Sequence, residues 1–163
     1  AVTLIKYLLD NAEGNNWQVT VADFSEELAK VAVANHSSGK AIFFNVTDDK
    51  QRQTEIENTD IVISMLPASM HILVAEDCVR LGKNMVTASY VSKEIIALDE
   101  KAKKSGVLLL NEIGLDPGID HLSAMKIINE IKEILTEENP SLVISMIQSL
   151  FDLEYSNELK KVS

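Results

Sequence analysis

At 163 residues and 46% hydrophobic, with 25 acidic against 15 basic side chains, the chain can bury one sizeable core and carries a net charge of −10. So acidic a surface offers no basic face to displace counterions from a phosphate backbone, which excludes nucleic acid as the expected partner. No apolar run approaches the roughly 20 residues that span a bilayer, and no charged-then-apolar leader opens the chain; the expectation is a cytoplasmic protein with no membrane partner.

The single cysteine, Cys78, cannot form an internal disulfide, and at helical spacing with Val74 and Leu81 it reads as a small core residue. His36, His71 and His121 are far apart and lack partners at metal-ligand spacing, so no metal is expected.

In chain order, Leu4, Ile5, Leu8, Leu9 and Ala12 share one face of an amphipathic helix over 2–12. A β-branched strand follows over 18–22, and Ser25 caps a second helix reaching Ala34, with Glu26 and Glu27 suited to its dipole. Strand 41–46 leads to a polar helix ending at Asn58, and strand 60–66 stops at Pro67. The helix over 69–81 buries Met70, Leu73, Val74 and Leu81 and closes on Gly82. Strand 84–88 precedes a helix over 92–105, with Ile95, Leu98 and Ala102 inward and Gly106 at its end. Val107 to Leu110 is a continuous apolar run, the pattern of a strand buried on both faces. Strands alternating with helices at this spacing imply right-handed βαβ units and a doubly wound parallel sheet covered on both faces.

The last strand runs into Asn111–Leu122, NEIGLDPGIDHL. Asp116 before Pro117 is expected to cap a helix that Pro117 opens, and Leu122, Met125, Ile128, Ile131 and Leu135 recur at helical spacing beyond it. That capping role accounts for the dipeptide without any function. In an open parallel sheet, however, ligands bind outside the carboxyl ends of the strands, where this segment lies. Residues 60–132, through ISMLP, VTASYVS and NEIGLDPGIDH in that order, closely resemble the core of saccharopine dehydrogenases of the glutamate-forming type.

The resemblance implies a Rossmann-like dinucleotide-binding domain over 1–132, with 133–163 a helical segment of uncertain placement. Such a domain needs a glycine-rich turn between its first strand and first helix. No glycine precedes Gly14, so the expectation is a domain without its first strand and glycine loop, beginning in mid-unit.

Asp23, ending the second strand of such a domain, can accept hydrogen bonds from the adenosine ribose hydroxyls and repel a 2′-phosphate. Phe24 stands where NADP-using members of the resembling family tend to carry an arginine. The cofactor expected from these two positions is therefore NAD rather than NADP, with Ser25 beside them and Asp48 a weaker candidate on the adenine side; as a bare strand-end residue, Asp23 equally suits turn chemistry. Leu66, Pro67 and Ala68 should pass beside the cofactor's second ribose. Thr87, Ala88 and Ser89 leave room for a nicotinamide ring while offering hydroxyl donors. By resemblance, Ser89, Tyr90 and Asp116 touch nicotinamide or substrate. Asp120 and His121 lie in the same motif, but as helix neighbours their side chains are expected to diverge.

The family's reaction joins glutamate to aminoadipate semialdehyde as an imine and reduces it with a nicotinamide hydride, or runs in reverse from saccharopine. So polyanionic a substrate calls for arginine forks. Arg52 and Arg80 fall away from the expected edge, which places the clamp elsewhere in the intact protein, expected to be a homodimer. Two alternatives stay open: a related imine or amino-acid dehydrogenase, such as one acting on a carboxynorspermidine precursor, and a cofactor-binding module without catalysis.

Overall fold

The computed structural model describes residues 1–138. Its strands are all parallel and form two sheets, β1 (Val19–Asp23) beside β2 (Gly39–Phe43), and β3 (Ile61–Ile63), β4 (Asn84–Val86) and β5 (Leu109–Leu110) in that order. The helices are α1 (Val2–Asp10), α2 (Ala12–Asn15), α3 (Glu26–Val33), α4 (Asp49–Glu57), α5 (His71–Leu81), α6 (Lys93–Ile96), α7 (Asp99–Ser105) and α8 (Ile119–Glu138), with a 3-10 turn over Ala68–Met70. In the doubly wound order the first strand stands between the two halves of the sheet. Among the described residues no strand pairs with the free edge of β1 or of β3.

Local chemistry sets most boundaries. Ser25 Oγ accepts the Leu28 N–H at 3.3 Å and starts α3. Gly82 and Gly106 end α5 and α7 in the left-handed conformation, at φ 69° and 67°. β2 lies earlier than the expected 41–46, because the Gln51 side chain closes its end: Gln51 Nε2 donates to the Phe43 carbonyl, and Gln51 Oε1 accepts the Asn45 N–H, both at 2.8 Å. The helix expected over 92–105 is two helices. A tight bond from the Leu98 N–H to the Ile95 carbonyl, at 3.0 Å, turns the chain there and keeps Ile95, Leu98 and Ala102 all buried.

The main core joins Val46 and Ile56 to Val74, Ala75, Cys78 and Val79 of α5, Met85 of β4, Ile95, Leu98, Ala102 and Val107. Burial pushes the Cys78 thiol up to about 12, as befits an inert core residue. Running through this region is an ion-pair network the periodicity gave no hint of. Arg52 Nε donates to Asp77 Oδ2 at 2.7 Å, Nη1 to the Val46 carbonyl at 2.6 Å and Nη2 to Asp49 Oδ1 at 2.8 Å. Arg80 Nη2 holds the other Asp77 oxygen at 2.6 Å. Burial works to lower the Arg52 pKa, but its carboxylate partners Asp77 and Asp49 outweigh that and raise it.

The second sheet departs from the expectation of cover on both faces. Val107 is 8% exposed, but Leu108 is 56% and Leu110 39% exposed, and Ile61 and Ile63 share that open face. The apolar run therefore alternates in burial, because α5 packs on one side of β4 while Ile63, Val86 and Leu110 line up across the other side.

The chain divides into two compact units, the first Ala1–Gly118 and the second starting at Ile119. α8 opens the second unit and ends the described residues at Glu138; the helical segment of uncertain placement expected over 133–163 lies mostly outside them.

Candidate functional site

The carboxyl ends of β4 and β5 carry two segments, 87–91 and 111–118, stitched together by hydrogen bonds. The Glu112 N–H donates to the Ser89 carbonyl at 3.1 Å, and the Glu112 Oε1 accepts the Val91 N–H at 3.1 Å. Glu112 adopts a left-handed φ of 62°, a strained conformation for a residue with a Cβ, and its two bonds to the neighbouring segment hold it there. Across the same gap the Tyr90 hydroxyl donates to Asp116 Oδ1 at 2.7 Å. Asp116 is thus not a helix cap: α8 starts only at Ile119, and the carboxylate reaches back to Tyr90 instead. The Asp116–Pro117 peptide bond is cis.

Tight glycines set the 114–118 turn. The Gly114 N–H donates to the Pro117 carbonyl at 2.8 Å, and a side chain on Gly114 would meet the Ala88 Cβ at 3.0 Å. Ala88 is small because this turn lies on it. Gly118 has a φ of 146°, and any Cβ there would collide with the Gly114 backbone.

Thr87 is 1% exposed, and its Oγ1 accepts the Ser89 N–H at 3.2 Å, shaping the turn that presents Ser89. The Ser89 hydroxyl meets His71 Nε2 at 2.7 Å, and His71 Nδ1 meets Ser64 Oγ at 2.8 Å. Both Ser64 and His71 are buried, and burial lowers the His71 pKa, favouring the neutral ring. Sequence reading missed this line of groups; a histidine at the start of an apolar helix has no partner visible at short spacing. Leu66 packs against the core, whereas Pro67 and Ala68 are exposed where the chain leaves β3 and turns toward His71.

At the ends of β1 and β2 the residues serve local structure as well as the edge. Asp23 Oδ1 accepts the Ser25 N–H at 2.8 Å, and Asp48 Oδ1 accepts the Gln51 N–H at 3.1 Å as the cap of α4. Phe24 and Phe43 stand at the strand ends with ring centroids 5.5 Å apart and tilted by 52°, Phe24 largely exposed and Phe43 less so. The sequence-expected residues therefore fall in two groups: Asp23, Phe24, Ser25 and Asp48 beside the first sheet, and Ser89, Tyr90 and Asp116 bonded across the second.

Two expectations at the periphery resolve differently. Arg52 is buried and Arg80 is paired with Asp77, so neither stands at the strand ends. Asp120 and His121 do not diverge: His121 Nδ1 lies 2.9 Å from Asp120 Oδ1 at the start of α8, with both side chains exposed. A cavity of about 360 Å³ lined by Lys30, His36 and Gly39 lies at the amino end of β2, away from the strand carboxyl ends.

Parallel strands, helical crossovers and polar groups gathered at the carboxyl ends define a Rossmann-like dinucleotide-binding domain. The family model described as the saccharopine dehydrogenase NADP binding domain matches residues 3–110, and the chain belongs to that family. It is 44% identical over 121 residues to an alpha-aminoadipic semialdehyde synthase of Arabidopsis thaliana, covering 74% of this chain and 11% of that protein. It is 42% identical over 123 residues to a saccharopine dehydrogenase [NADP(+), L-glutamate-forming] of Pyricularia oryzae, covering 76% of this chain and 27% of that one. Among solved structures, the apo saccharopine dehydrogenase (L-Glu forming) of Saccharomyces cerevisiae superposes with a TM-score of 0.72 at 37% identity, over 79% of this chain and 28% of that one. The chain thus spans only about a tenth to a quarter of the length of these relatives.

These matches overturn the expectation of NAD: the family and the fungal relatives are NADP-binding. The Asp23 Oδ1 builds the turn into α3 through the Ser25 N–H, so a carboxylate at this strand end has a local structural role that carries no information about the 2′-phosphate.

Proposed function

We propose that this chain is the cofactor-binding part of an NADP-dependent oxidoreductase of lysine metabolism that acts on the CH–NH bond of saccharopine. In this reading the secondary amine is oxidised to an imine, and hydrolysis releases glutamate and aminoadipate semialdehyde. The observation that carries it is the Tyr90–Asp116 hydrogen bond of 2.7 Å at the ends of β4 and β5, in a chain of this family.

The residues at hand suit the two ends of the cofactor. Phe24 and Ser25 flank the adenosine side, while Pro67, Ala68 and Ser89 flank the nicotinamide side, where Gly114 packs closely on Ala88 and keeps the edge low. NADP, when bound, supplies the hydride acceptor. Tyr90 and Asp116 act on the substrate side. The Asp116 carboxylate, held in place by the Tyr90 hydroxyl, favours a positively charged nitrogen nearby. Arg52 and Arg80 are committed to Asp77, so the forks that orient the substrate carboxylates come from other parts of the intact protein.

The test is the initial rate of saccharopine oxidation by the full-length protein, followed by reduced-nicotinamide absorbance with NADP and with NAD. Faster turnover with NADP is expected. Asp116→Ala should lower turnover by about a hundredfold or more, the scale of a positioned acid or base, with the melting temperature little changed. No turnover of saccharopine by the full-length protein would overturn the reading.

A further inference from the structure

His71 is buried without belonging to the apolar packing around it, and both of its ring nitrogens are engaged. Nδ1 lies 2.8 Å from the hydroxyl of Ser64, itself 3% exposed, and Nε2 lies 2.7 Å from the hydroxyl of Ser89. The two serines come from different strands. Ser64 follows β3 and is fixed by its N–H bond to the Val86 carbonyl at 2.8 Å; Ser89 stands in the segment after β4. The imidazole therefore ties the ends of two adjacent strands through side chains alone.

A serine hydroxyl is ordinarily free to rotate among three staggered positions and to serve as donor or acceptor. Ser89 has neither freedom. Its backbone N–H is held by Thr87 Oγ1 at 3.2 Å, its carbonyl by the Glu112 N–H at 3.1 Å, and its Oγ by the ring. Only Ser89, the half-buried end of the line, faces the strand edge; Ser64 and His71 are shut away. A ring with both nitrogens occupied is not placed to exchange a proton with a ligand, but it is placed to aim the group that meets one.

We propose that His71 is a positioning residue: held from behind by Ser64, it fixes the Ser89 hydroxyl toward the carboxamide of a bound nicotinamide. This rests on the reading of the strand ends as an NADP site. The ligand chemistry follows from the make-up of the line, which is two hydroxyls and an imidazole with no carboxylate or cation among them. A neutral amide, donor and acceptor at once, matches it better than the charged ends of an amino-acid substrate.

The test is a double-mutant cycle in the full-length protein, read as NADPH affinity by fluorescence titration. His71→Phe keeps an aromatic ring at the position and removes both ring bonds, and Ser89→Ala removes the hydroxyl. Each should weaken NADPH binding about three- to tenfold, the worth of a single hydrogen bond. Because His71 acts through Ser89, the double variant should be no weaker than either single one. His71→Gln, which can reach Ser89, should restore most of the affinity. Losses that multiply in the double variant would overturn the proposal, as would unchanged affinity in both single variants. Should His71→Phe fail to fold, Ser64→Ala serves in its place and should weaken binding in the same direction; wild-type affinity there counts against the proposal. Tight NADPH binding with no saccharopine turnover would defeat the substrate reading while leaving the cycle able to decide on His71.

Discussion

Arg52 and Asp77 form a buried charge pair: the two side chains are 6% and 7% exposed and share bonds of 2.7 Å or less with each other and with Val46 and Arg80. Replacing such a pair by apolar residues together can be neutral, but removing one member leaves a desolvated charge. Asp77→Ala should therefore cost about 3–5 kcal/mol, read by denaturant unfolding of the full-length protein, because the guanidinium keeps its burial and loses its main counterion. A cost below about 1 kcal/mol, the range of an exposed surface pair, would mean that water reaches Arg52. Asp116 is the contrasting case. It is exposed and its bond to Tyr90 is open to solvent, so its worth lies in position rather than in stability.

Among elements, the 114–118 turn does the positioning. It has Gly114 against Ala88, the Gly114 N–H on the Pro117 carbonyl, and Gly118 at a φ that side chains rarely adopt with the Gly114 backbone in the way of a Cβ. Gly118→Ala must displace backbone, and Asp116 moves with it. The expected outcome is loss of most of the turnover, because misplacing a group by about 1 Å can cost roughly a hundredfold in rate. Steady-state kinetics on folded variant protein, with unchanged activity as the contrary result, decides it. The helix pair α6 and α7 shows the opposite tolerance: its break changes the path of the chain while Ile95, Leu98 and Ala102 keep the burial their spacing required.

At the scale of the whole molecule, the two sheets leave β1 and β3 each with one unpaired edge among the described residues, and Ile61, Ile63, Leu108 and Leu110 open on one face of the second sheet. Unpaired edges with apolar neighbours recruit other strands. A polypeptide of residues 1–163 should accordingly self-associate, seen as a concentration-dependent rise in sedimentation coefficient, and Ile61→Lys on the β3 edge should reduce it. A folded monomer across the accessible concentration range would show that these edges are covered in solution.

What the amino-acid sequence determined alone is what nearest neighbours decide. The order of strands and helices, the Ser25 cap, the glycine stops at Gly82 and Gly106, and the inward positions of Val74, Cys78, Ile95, Leu98 and Ala102 all rest on contacts within about one helical turn or on strand alternation. The strings at 63–67, 86–92 and 111–121 likewise carried the family resemblance before any geometry was known. Only the tertiary structure decided the long-range side-chain pairs. Arg52 and Asp77 are 25 residues apart, His71 and Ser89 are 18 apart, and Tyr90 and Asp116 are 26 apart. No short-range period encodes such spacings. They follow from the parallel register that sets Val62 opposite Met85 and Met85 opposite Leu109, bringing the segments after β3, β4 and β5 to one edge. The expectation of NAD failed for a different reason: a carboxylate at a strand end also serves its own backbone, here the Ser25 N–H two residues on, so its presence does not decide between the two cofactors.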